Sequence, residues 1–445
     1  MIRPTDRASI GIPDEKPPLM AEIGFIGLLL LLLVTLHPFH PPAVTAGLSA
    51  IEPVASDIWR QISFTGVFLL VAAAAVRHRP ALLLQAVPLS MMALLGWCLL
   101  STLWSDAGGI VFRRAVLISE VTGAALLGTA LLGAERAFER LRLVLVIVLA
   151  VNWLAMPFIP TAMHQVGEID PQLIGNWRGL YDQKNVAGAV CALTVLLFLF
   201  PGRRARRNSD WLVMAAALGF LYFTVSKTSM RLLPVAAAIG YAYRAGWKNG
   251  LDRALLTMTA LVGAGCIATV LALNIELITR FLSDPDALTG RTEIWQAIFA
   301  YLKDHFFLGA GYDSVFSTGL QSPLLPYLHG RNWVAQVSNS HNGYIDIFLG
   351  LGAIGFVLAL IALLALPFRH FWPLNFDRAR IGYFAVFVFI VFHNFTEADF
   401  LAPDGVLWLA FLMVLAAIRQ PVPAPVPARA RPRPAALSWQ AGSRA

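Results

Sequence analysis

The chain has 445 residues, of which 58% are hydrophobic and only 13% are charged, and its mean hydropathy is +0.67. A soluble domain needs far more charge to cover its surface. This composition therefore excludes an ordinary soluble enzyme and predicts an all-α polytopic membrane protein. We expect the lipid bilayer as a partner and no nucleic acid, and whether the formal charge of +8 indicates an anionic partner depends on where the Lys and Arg residues lie.

The apolar runs predict about twelve transmembrane helices, because about 20 helical residues cross a bilayer core of ~30 Å. Residues 1–19 are polar, and the first run after them is interpreted as a retained signal anchor. The charged stretch 134–142 is predicted to be a turn, and the Pro/Ala/Arg-rich residues 419–445 a disordered tail. The predicted spans are residues 20–36, 58–76, 81–103, 115–132, 143–163, 186–200, 211–225, 232–243, 254–275, 344–367, 381–395 and 405–418.

The distribution of basic residues predicts the orientation of these spans. With both termini in the cytoplasm, the cytoplasmic segments hold 23 of the 34 Lys and Arg residues, which is the positive-inside pattern. The large loop 276–343, between the predicted ninth and tenth spans, then faces the periplasm or the cell exterior. In a bacterium this orientation corresponds to the inner (cytoplasmic) membrane.

This loop contains a predicted amphipathic helix that begins near Arg291. Apolar residues recur at helical spacing after Thr292, and Thr289 is the predicted N-cap. In the first turn, Arg291 and the unpaired backbone N–H groups would hold a phosphate together. The alternative interpretation is an ordinary interfacial helix with a solvated arginine.

The end of the loop carries a candidate base, His341, at the predicted start of the tenth span. Ser338 or Ser340 is the predicted helix cap, and residues 320–337 are a candidate lid. A histidine at this boundary is either a plain interfacial residue or a general base that works near neutral pH. Asp346, one turn into the span, is expected to have a partner.

Several cations lie on the translocated side, where basic residues are disfavoured. Each could simply reach towards lipid headgroups. Taken together they predict a polyanion site, because a guanidinium donates two parallel hydrogen bonds to phosphate. The set comprises Arg178, Lys184, Lys227, Arg231 and Arg291.

Other chemistries lack a signature in the sequence. There is no clustered His, Cys and Asp set at metal-ligand spacing, no carboxylate pair typical of a glycosidase and no phosphate-binding loop. We therefore predict no metal and no cofactor. Cys98, Cys191 and Cys266 fall within predicted spans and are expected to be free thiols.

Three motifs give a specific resemblance when they are taken in order: Leu288-Thr289-Gly290-Arg291-Thr292-Glu293-Ile294-Trp295, Gly309-Ala310-Gly311-Tyr312 and Ser340-His341-Asn342 before a Gly-rich helix. The chain resembles the O-antigen ligase and Wzy-type polymerase superfamily, and within it the ExoQ-like exopolysaccharide polymerases. Shorter pieces agree, namely Trp104-Ser105-Asp106, Arg178-Gly179-Leu180, Lys184-Asn185, Ser226-Lys227-Thr228-Ser229 and Asn394-Phe395-Thr396-Glu397.

The resemblance implies a GT-C-like glycosyltransferase domain over residues 20–418, with residues 276–343 as its catalytic loop. The implied reaction is metal-independent transfer of an oligosaccharide from undecaprenyl pyrophosphate to a hydroxyl. The resemblance assigns pyrophosphate binding to Arg291 and the role of general base on the acceptor hydroxyl to His341. Lys227 stands where ligases carry a second arginine, which weakens the ligase assignment. The remaining implied roles are auxiliary: Glu397 orients His341 or a sugar hydroxyl, and Arg178, Lys184, Arg231 and Asn342 contact the substrate.

Three functions remain open from the sequence. A polymerase would join lipid-linked repeat units, working with other polysaccharide export proteins. A ligase would move finished glycan to lipid A-core or to a protein. A carrier or flippase would bind the same pyrophosphate lipid without chemistry, and would be expected to show repeat symmetry.

Overall fold

The computed structural model describes residues 17–33, 58–165, 173–246, 258, 291–316, 318, 321–328, 337–372 and 377–420. Over these residues the protein is helical, and a single isolated bridge joins Met163 to Trp177. The helices are α1 Leu19–Leu33, α2 Ile58–His78, α3 Leu82–Gln85, α4 Leu89–Leu100, α5 Gly108–Leu132, α6 Ala134–Ala155, α7 Lys184–Leu199, α8 Asn208–Thr224, α9 Lys227–Gly246, α10 Arg291–Asp304, α11 Gly343–Ala359, α12 Leu366–His370, α13 Arg378–His393 and α14 Val406–Arg419.

Three described helices are long and apolar enough to cross a membrane. They are α2, α5 and the continuous helix Gly343–His370, in which a π-helical segment joins α11 to α12. Shorter apolar helices accompany them at α1, α4, α7 and α14. The predicted ninth span, most of the N-terminal segment and nearly all of the tail lie outside the described residues.

The interior is built around α5 and α14, whose side chains are buried along most of their length. Close approach at two glycines of α5 lets neighbouring aromatic rings pack against its backbone. A Cβ at Gly123 would lie 2.7 Å from the ring of Phe68, and one at Gly128 would lie 2.6 Å from the ring of Phe25. Glycine therefore sets the spacing of α1, α2 and α5.

Two sequence predictions about helix bounds are wrong. The predicted span 81–103 is broken at Pro88, which has an extended ψ of 143° and precedes α4, because proline cannot continue a helix started before it. The charged stretch 134–142 is the first part of α6 and not a turn. Its charges are held by partners, since Arg140 Nε donates to Glu22 over 2.6 Å and Arg142 Nε donates to the Leu197 carbonyl over 3.2 Å.

The Gly309-Ala310-Gly311-Tyr312 motif packs directly on the backbone of α11. The N–H of Ala310 donates to the Leu349 carbonyl (2.9 Å), and that of Gly311 donates to the Gly350 carbonyl (2.8 Å). Gly352 bends α11 here with φ 64°, and a Cβ on it would lie 2.2 Å from the Phe307 carbonyl oxygen. Gly352 of α11 thus permits close packing against this loop segment.

The predicted amphipathic helix is present as α10, with Ile294, Ile298 and Leu302 buried on one face. Residues 321–328, the described part of the candidate lid, pack against it. The Tyr327 hydroxyl donates to Asp304 Oδ2 over 2.9 Å, and this bond to a carboxylate raises the pKa of Tyr327. The contact fixes one end of the segment to α10.

Candidate functional site

The candidate site is organised by residues 393–399, which we call the α13–α14 turn. Helix α13 ends at His393, and the N–H groups of Thr396 and Glu397 both donate to the His393 carbonyl over 3.0 Å. The Asn394 side-chain oxygen accepts the N–H groups of Asp399 and Phe400, each over 2.9 Å. The turn is thus held by its own backbone and by one buried amide.

Four of the described helices begin beside this turn. Asn185 of α7 donates to Glu397 Oε1 (2.8 Å), and Thr228 of α9 accepts from Thr396 (3.1 Å). Arg291 of α10 and Gly343 of α11 also contact the turn. The helix dipole makes every N-terminus a weak positive pole, so their convergence favours a polyanion independently of the side-chain cations. At α11 the first N–H groups are already bonded to the Asn394 and Glu397 carbonyls and to the Asn342 side chain.

Arg291, the first residue of α10, is fixed to the turn. Its Nη1 donates to the Thr396 carbonyl over 2.9 Å, and its Nη2 lies 3.6 Å from Glu397 Oε1. A guanidinium has five N–H donors, so these two contacts leave others that can bind a ligand. The side chain keeps 19% of its surface exposed.

His341 precedes α11 in a strained backbone conformation, with φ 56°. Its N–H donates to the Asn339 side-chain oxygen (2.9 Å), and the Ser340 carbonyl accepts from the Trp295 indole (2.9 Å). Asp346 has the partner that its position predicts, because its Oδ1 accepts the Ser340 N–H over 3.1 Å. One contact of His341 and two of the preceding Ser340 thus hold this backbone in place. Residues with positive φ cluster at functional sites.

The helix cap is Asn342, and not Ser338 or Ser340 as the sequence suggests. Its side-chain oxygen accepts the N–H groups of Tyr344 (3.0 Å) and Ile345 (3.2 Å), and its Nδ2 donates to the Phe395 carbonyl (3.0 Å). Asparagine can do both because it carries an acceptor and two donors. Asn342 therefore ties the start of α11 to the α13–α14 turn.

Glu397 lies between Arg291 and His341. Its Oε2 is 3.7 Å from His341 Nδ1, whereas its Oε1 faces Arg291 and Asn185. The His341 ring keeps 26% exposure although Nδ1 is buried without a hydrogen-bond partner among the described residues. The exposed part of the ring is therefore not Nδ1, and the carboxylate faces the buried side of the imidazole.

The other cations predicted for the site lie on α9, on α7 and in the loop before α7. Lys227 and Arg231 are exposed one turn apart at the start of α9, next to Thr228. Lys184 begins α7 beside Asn185, and its N–H donates to His164 Nε2 over 3.3 Å. Arg178 is buried and donates to the carbonyls of Thr161 (2.8 Å) and Asp182 (3.2 Å), so the structure places it in the supporting loop.

Sequence reasoning did not select Asn185 or the buried chain that begins at His393. His393 Nδ1 lies 2.7 Å from Asp399 Oδ2, and its Nε2 lies 3.2 Å from the Ser229 hydroxyl. Asn185 and Ser229 fall inside motifs that the sequence displays, Lys184-Asn185 and Ser226-Lys227-Thr228-Ser229, whereas His393 and Asp399 do not. Only the pairing across the fold reveals their contacts. Among the described residues, no three His, Cys, Asp or Glu side chains form a group that could hold a metal ion.

One protein-family model matches the central part of the chain. Residues 212–360 match the Wzy_C family model, described as O-antigen ligase. The matched segment runs from α8 into the helix Gly343–His370 and includes Lys227, Arg291 and His341. This match confirms the resemblance to the O-antigen ligase and Wzy-type superfamily.

The chain is also similar to a curated protein over a longer stretch. Over 281 residues the chain is 25% identical to the exopolysaccharide production protein ExoQ of Rhizobium meliloti (strain 1021). The alignment covers 59% of this chain and 61% of the relative, so the chain spans about three fifths of that relative's length. The chain is thus similar to ExoQ over about three fifths of its length, and its residues 212–360 resemble the O-antigen ligase family model.

Proposed function

We propose that the protein polymerises undecaprenyl-pyrophosphate-linked oligosaccharide repeat units into exopolysaccharide or O-antigen. The observation that carries the proposal is Glu397 between Arg291 and His341, at a turn where four helix N-termini converge. Transfer from a pyrophosphate donor needs a cation that binds the leaving group and a base that accepts the acceptor's proton. Arg291, which is partly exposed, and His341, which faces a carboxylate, are assigned these two roles. The similarity to ExoQ supports a glycan as the product.

The proposed reaction is a direct displacement. The acceptor hydroxyl oxygen bonds to the anomeric carbon of the donor while the bond from that carbon to the pyrophosphate oxygen breaks. The electron pair leaves with undecaprenyl pyrophosphate, and His341 takes the hydroxyl proton. Attack opposite the leaving group inverts the anomeric carbon. Glu397 stabilises the imidazolium that forms, as a carboxylate does when it faces the far nitrogen of a catalytic histidine.

The pyrophosphate is assigned to the cations beside the turn. Arg291 is its main contact, with Lys227 and Arg231 at the start of α9 and Lys184 at the start of α7. Fixed cations and helix N-termini stabilise the charge that develops on the leaving group without reorganisation. Such an arrangement supplies the stabilisation that a metal ion provides elsewhere, and the proposed mechanism is metal-independent. Asn342 and Arg178 remain predicted substrate contacts.

The proposed topology places this site in the periplasm. About twelve spans cross the inner membrane in a GT-C-like arrangement over residues 20–418, with residues 276–343 as the catalytic loop. The segments 1–19 and 419–445 are then cytoplasmic. Other polysaccharide export proteins are proposed partners.

The second candidate is an O-antigen ligase, favoured by the description of the matching family. It would use the same donor and the same residues but transfer glycan to lipid A-core. Lys227 argues against it, because an ammonium lacks the bidentate fork of arginine. A polyprenyl-pyrophosphate glycan carrier would need the cations but not His341.

The test is an assay of the purified protein and its His341→Ala variant in liposomes. The substrate is undecaprenyl-pyrophosphate-linked repeat units, with or without lipid A-core. We expect wild type to give a ladder of longer lipid-linked glycans, and the variant to lose about 10²-fold or more of the rate. Product on lipid A-core alone would establish the ligase, and donor binding without product from either mixture would favour the carrier.

A further inference from the structure

A cavity of about 260 Å³ lies beside the proposed catalytic residues and is not used by the pyrophosphate assignment. Its lining includes Glu397, Asn185 and Asn339, whereas Arg291, Lys227, Arg231 and His341 are not among its described lining residues. His341 is linked to the lining through Glu397 and Asn339, which both contact it. Glu397 therefore separates two environments, with the cations on one side and this cavity on the other. We call it the acidic cavity.

The charge of the acidic cavity is opposite to that of a phosphate site. Four carboxylates line it: Asp182, Glu397, Asp399 and Asp404. Two basic groups also line it, Arg60, which is ion-paired with Asp404, and His393, whose Nδ1 lies 2.7 Å from Asp399 Oδ2, so carboxylates remain in excess. A pyrophosphate placed here would meet like charges, which is unfavourable at short range. The acidic cavity is thus unsuited to the leaving group of the donor.

The same lining suits an uncharged, hydroxyl-rich ligand. Carboxylates accept hydrogen bonds from hydroxyls, and the amides of Asn185, Gln183 and Asn339 both donate and accept. The lining also contains apolar residues, among them Leu31, Phe64, Val186 and Leu407. A sugar ring presents both kinds of surface, hydroxyls at its rim and C–H groups on its faces.

A second cavity of about 180 Å³ adjoins the first. Asn339, Ala398 and Ala402 line both of them. Asn339 is also the residue whose side-chain oxygen accepts the His341 N–H over 2.9 Å. The boundary between the two cavities is therefore tied to the backbone of the proposed base, and together they offer room for more than one sugar.

We propose that the acidic cavity binds the terminal, uncharged sugar of the acceptor glycan, and that the adjoining cavity binds the sugar before it. This inference rests on the proposed glycosyl transfer and assigns the two substrates to opposite sides of Glu397. The acceptor hydroxyl approaches from the acidic cavity, and the pyrophosphate leaves on the side of Arg291. Because the two regions are opposite in charge, the pyrophosphate is disfavoured in the acidic cavity and favoured beside Arg291.

Binding measurements with two separate probes test this assignment. The first probe is the oligosaccharide released by mild acid from the cell's own lipid-linked repeat unit, which carries neither lipid nor phosphate. The second is undecaprenyl pyrophosphate without sugar. Saturation-transfer NMR follows the first, and titration in detergent micelles follows the second.

The cavity variants are Val186→Trp, which places an indole in the lining, and Gln183→Leu, which removes one amide. Both positions are exposed, so the fold tolerates the changes. The matched control is Leu212→Trp on α8, an exposed position outside both linings. We expect Val186→Trp to weaken oligosaccharide binding about ten-fold and Gln183→Leu about five-fold, the loss typical of one hydrogen bond. Binding of undecaprenyl pyrophosphate stays within about two-fold in both variants.

Arg291→Ala gives the reverse pattern, with weaker binding of undecaprenyl pyrophosphate and unchanged binding of the oligosaccharide. The proposal is overturned if wild type does not bind the oligosaccharide, if the cavity variants leave that binding intact, or if they weaken both probes equally. Absence of a glycan ladder from wild type, with this binding pattern present, would instead overturn the proposed transfer while retaining a glycan site.

Discussion

A single carboxylate, Glu397, faces both proposed catalytic residues, Arg291 and His341. It is only 8% exposed, and a buried carboxylate is costly unless it is paired and hydrogen-bonded. Asn185 and Arg291 fulfil that need on Oε1, whereas Oε2 faces His341. Glu397 is therefore held by structural contacts on one oxygen and is available for catalysis on the other.

Glu397→Gln tests this division. The amide oxygen can still accept from Asn185, but the negative charge that stabilises an imidazolium at His341 is lost. We expect the rate of glycan transfer to fall roughly 10- to 100-fold, with binding of undecaprenyl pyrophosphate retained. Glu139→Gln, the same change at an exposed position of α6, is the control and should leave the rate unchanged. An unaltered rate in Glu397→Gln would remove this residue from the mechanism.

At the scale of single residues, the sequence selects candidate residues but does not reveal their contacts across the fold. Arg291 and His341 can be selected from the sequence because each lies within a short motif, Gly290-Arg291-Thr292 and Ser340-His341-Asn342. The pairing of Asn185 with Glu397 spans 212 positions in the chain, and no local pattern encodes a contact of that kind. His393 looks like an ordinary interfacial histidine until Asp399 and Ser229 are placed on either side of it.

Helix bounds follow the sequence where an apolar run is limited by charge, as at α2 and α14. They depart from it where tertiary contacts neutralise charges inside a helix. The segment 134–142 contains five charged residues, yet it is helical because partners on α1 and α7 receive two of its arginines. These contacts join residues far apart in the chain, so averaging hydropathy over a local window cannot predict them.

The packing of residues 309–311 on α11 gives a prediction about stability. Gly352→Ala combines a positive φ with a Cβ 2.2 Å from the Phe307 carbonyl oxygen, so backbone must move. We expect a loss of about 2 kcal/mol or more, measured as a lower midpoint of thermal unfolding in detergent.

The matched control for this substitution is Gly96→Ala in α4. No atom lies within 4 Å of the added methyl group there, and alanine favours a helix interior over glycine by up to ~1 kcal/mol. This variant should be as stable as wild type or slightly more so. Equal destabilisation of both variants would show that the crossing at Gly352 is not specially constrained.

For the whole molecule, the proposed topology is tested by labelling intact cells of a cysteine-free variant. Asp106→Cys and Glu139→Cys introduce thiols at exposed positions that the distribution of basic residues assigns to opposite sides of the membrane. A membrane-impermeant maleimide should label position 106 in intact cells and position 139 only after lysis. Labelling of position 139 in intact cells would reverse the proposed orientation of the site.

The position of the α13–α14 turn in the chain bears on how the protein is made. Helices α7, α9, α10 and α11 are all synthesised before residues 393–399, yet each begins against that turn. A nascent chain can therefore carry every cation of the site while lacking the element that aligns them. We therefore expect a chain that lacks residues 393–399 to be inactive in the proposed transfer, even when the earlier helices are inserted.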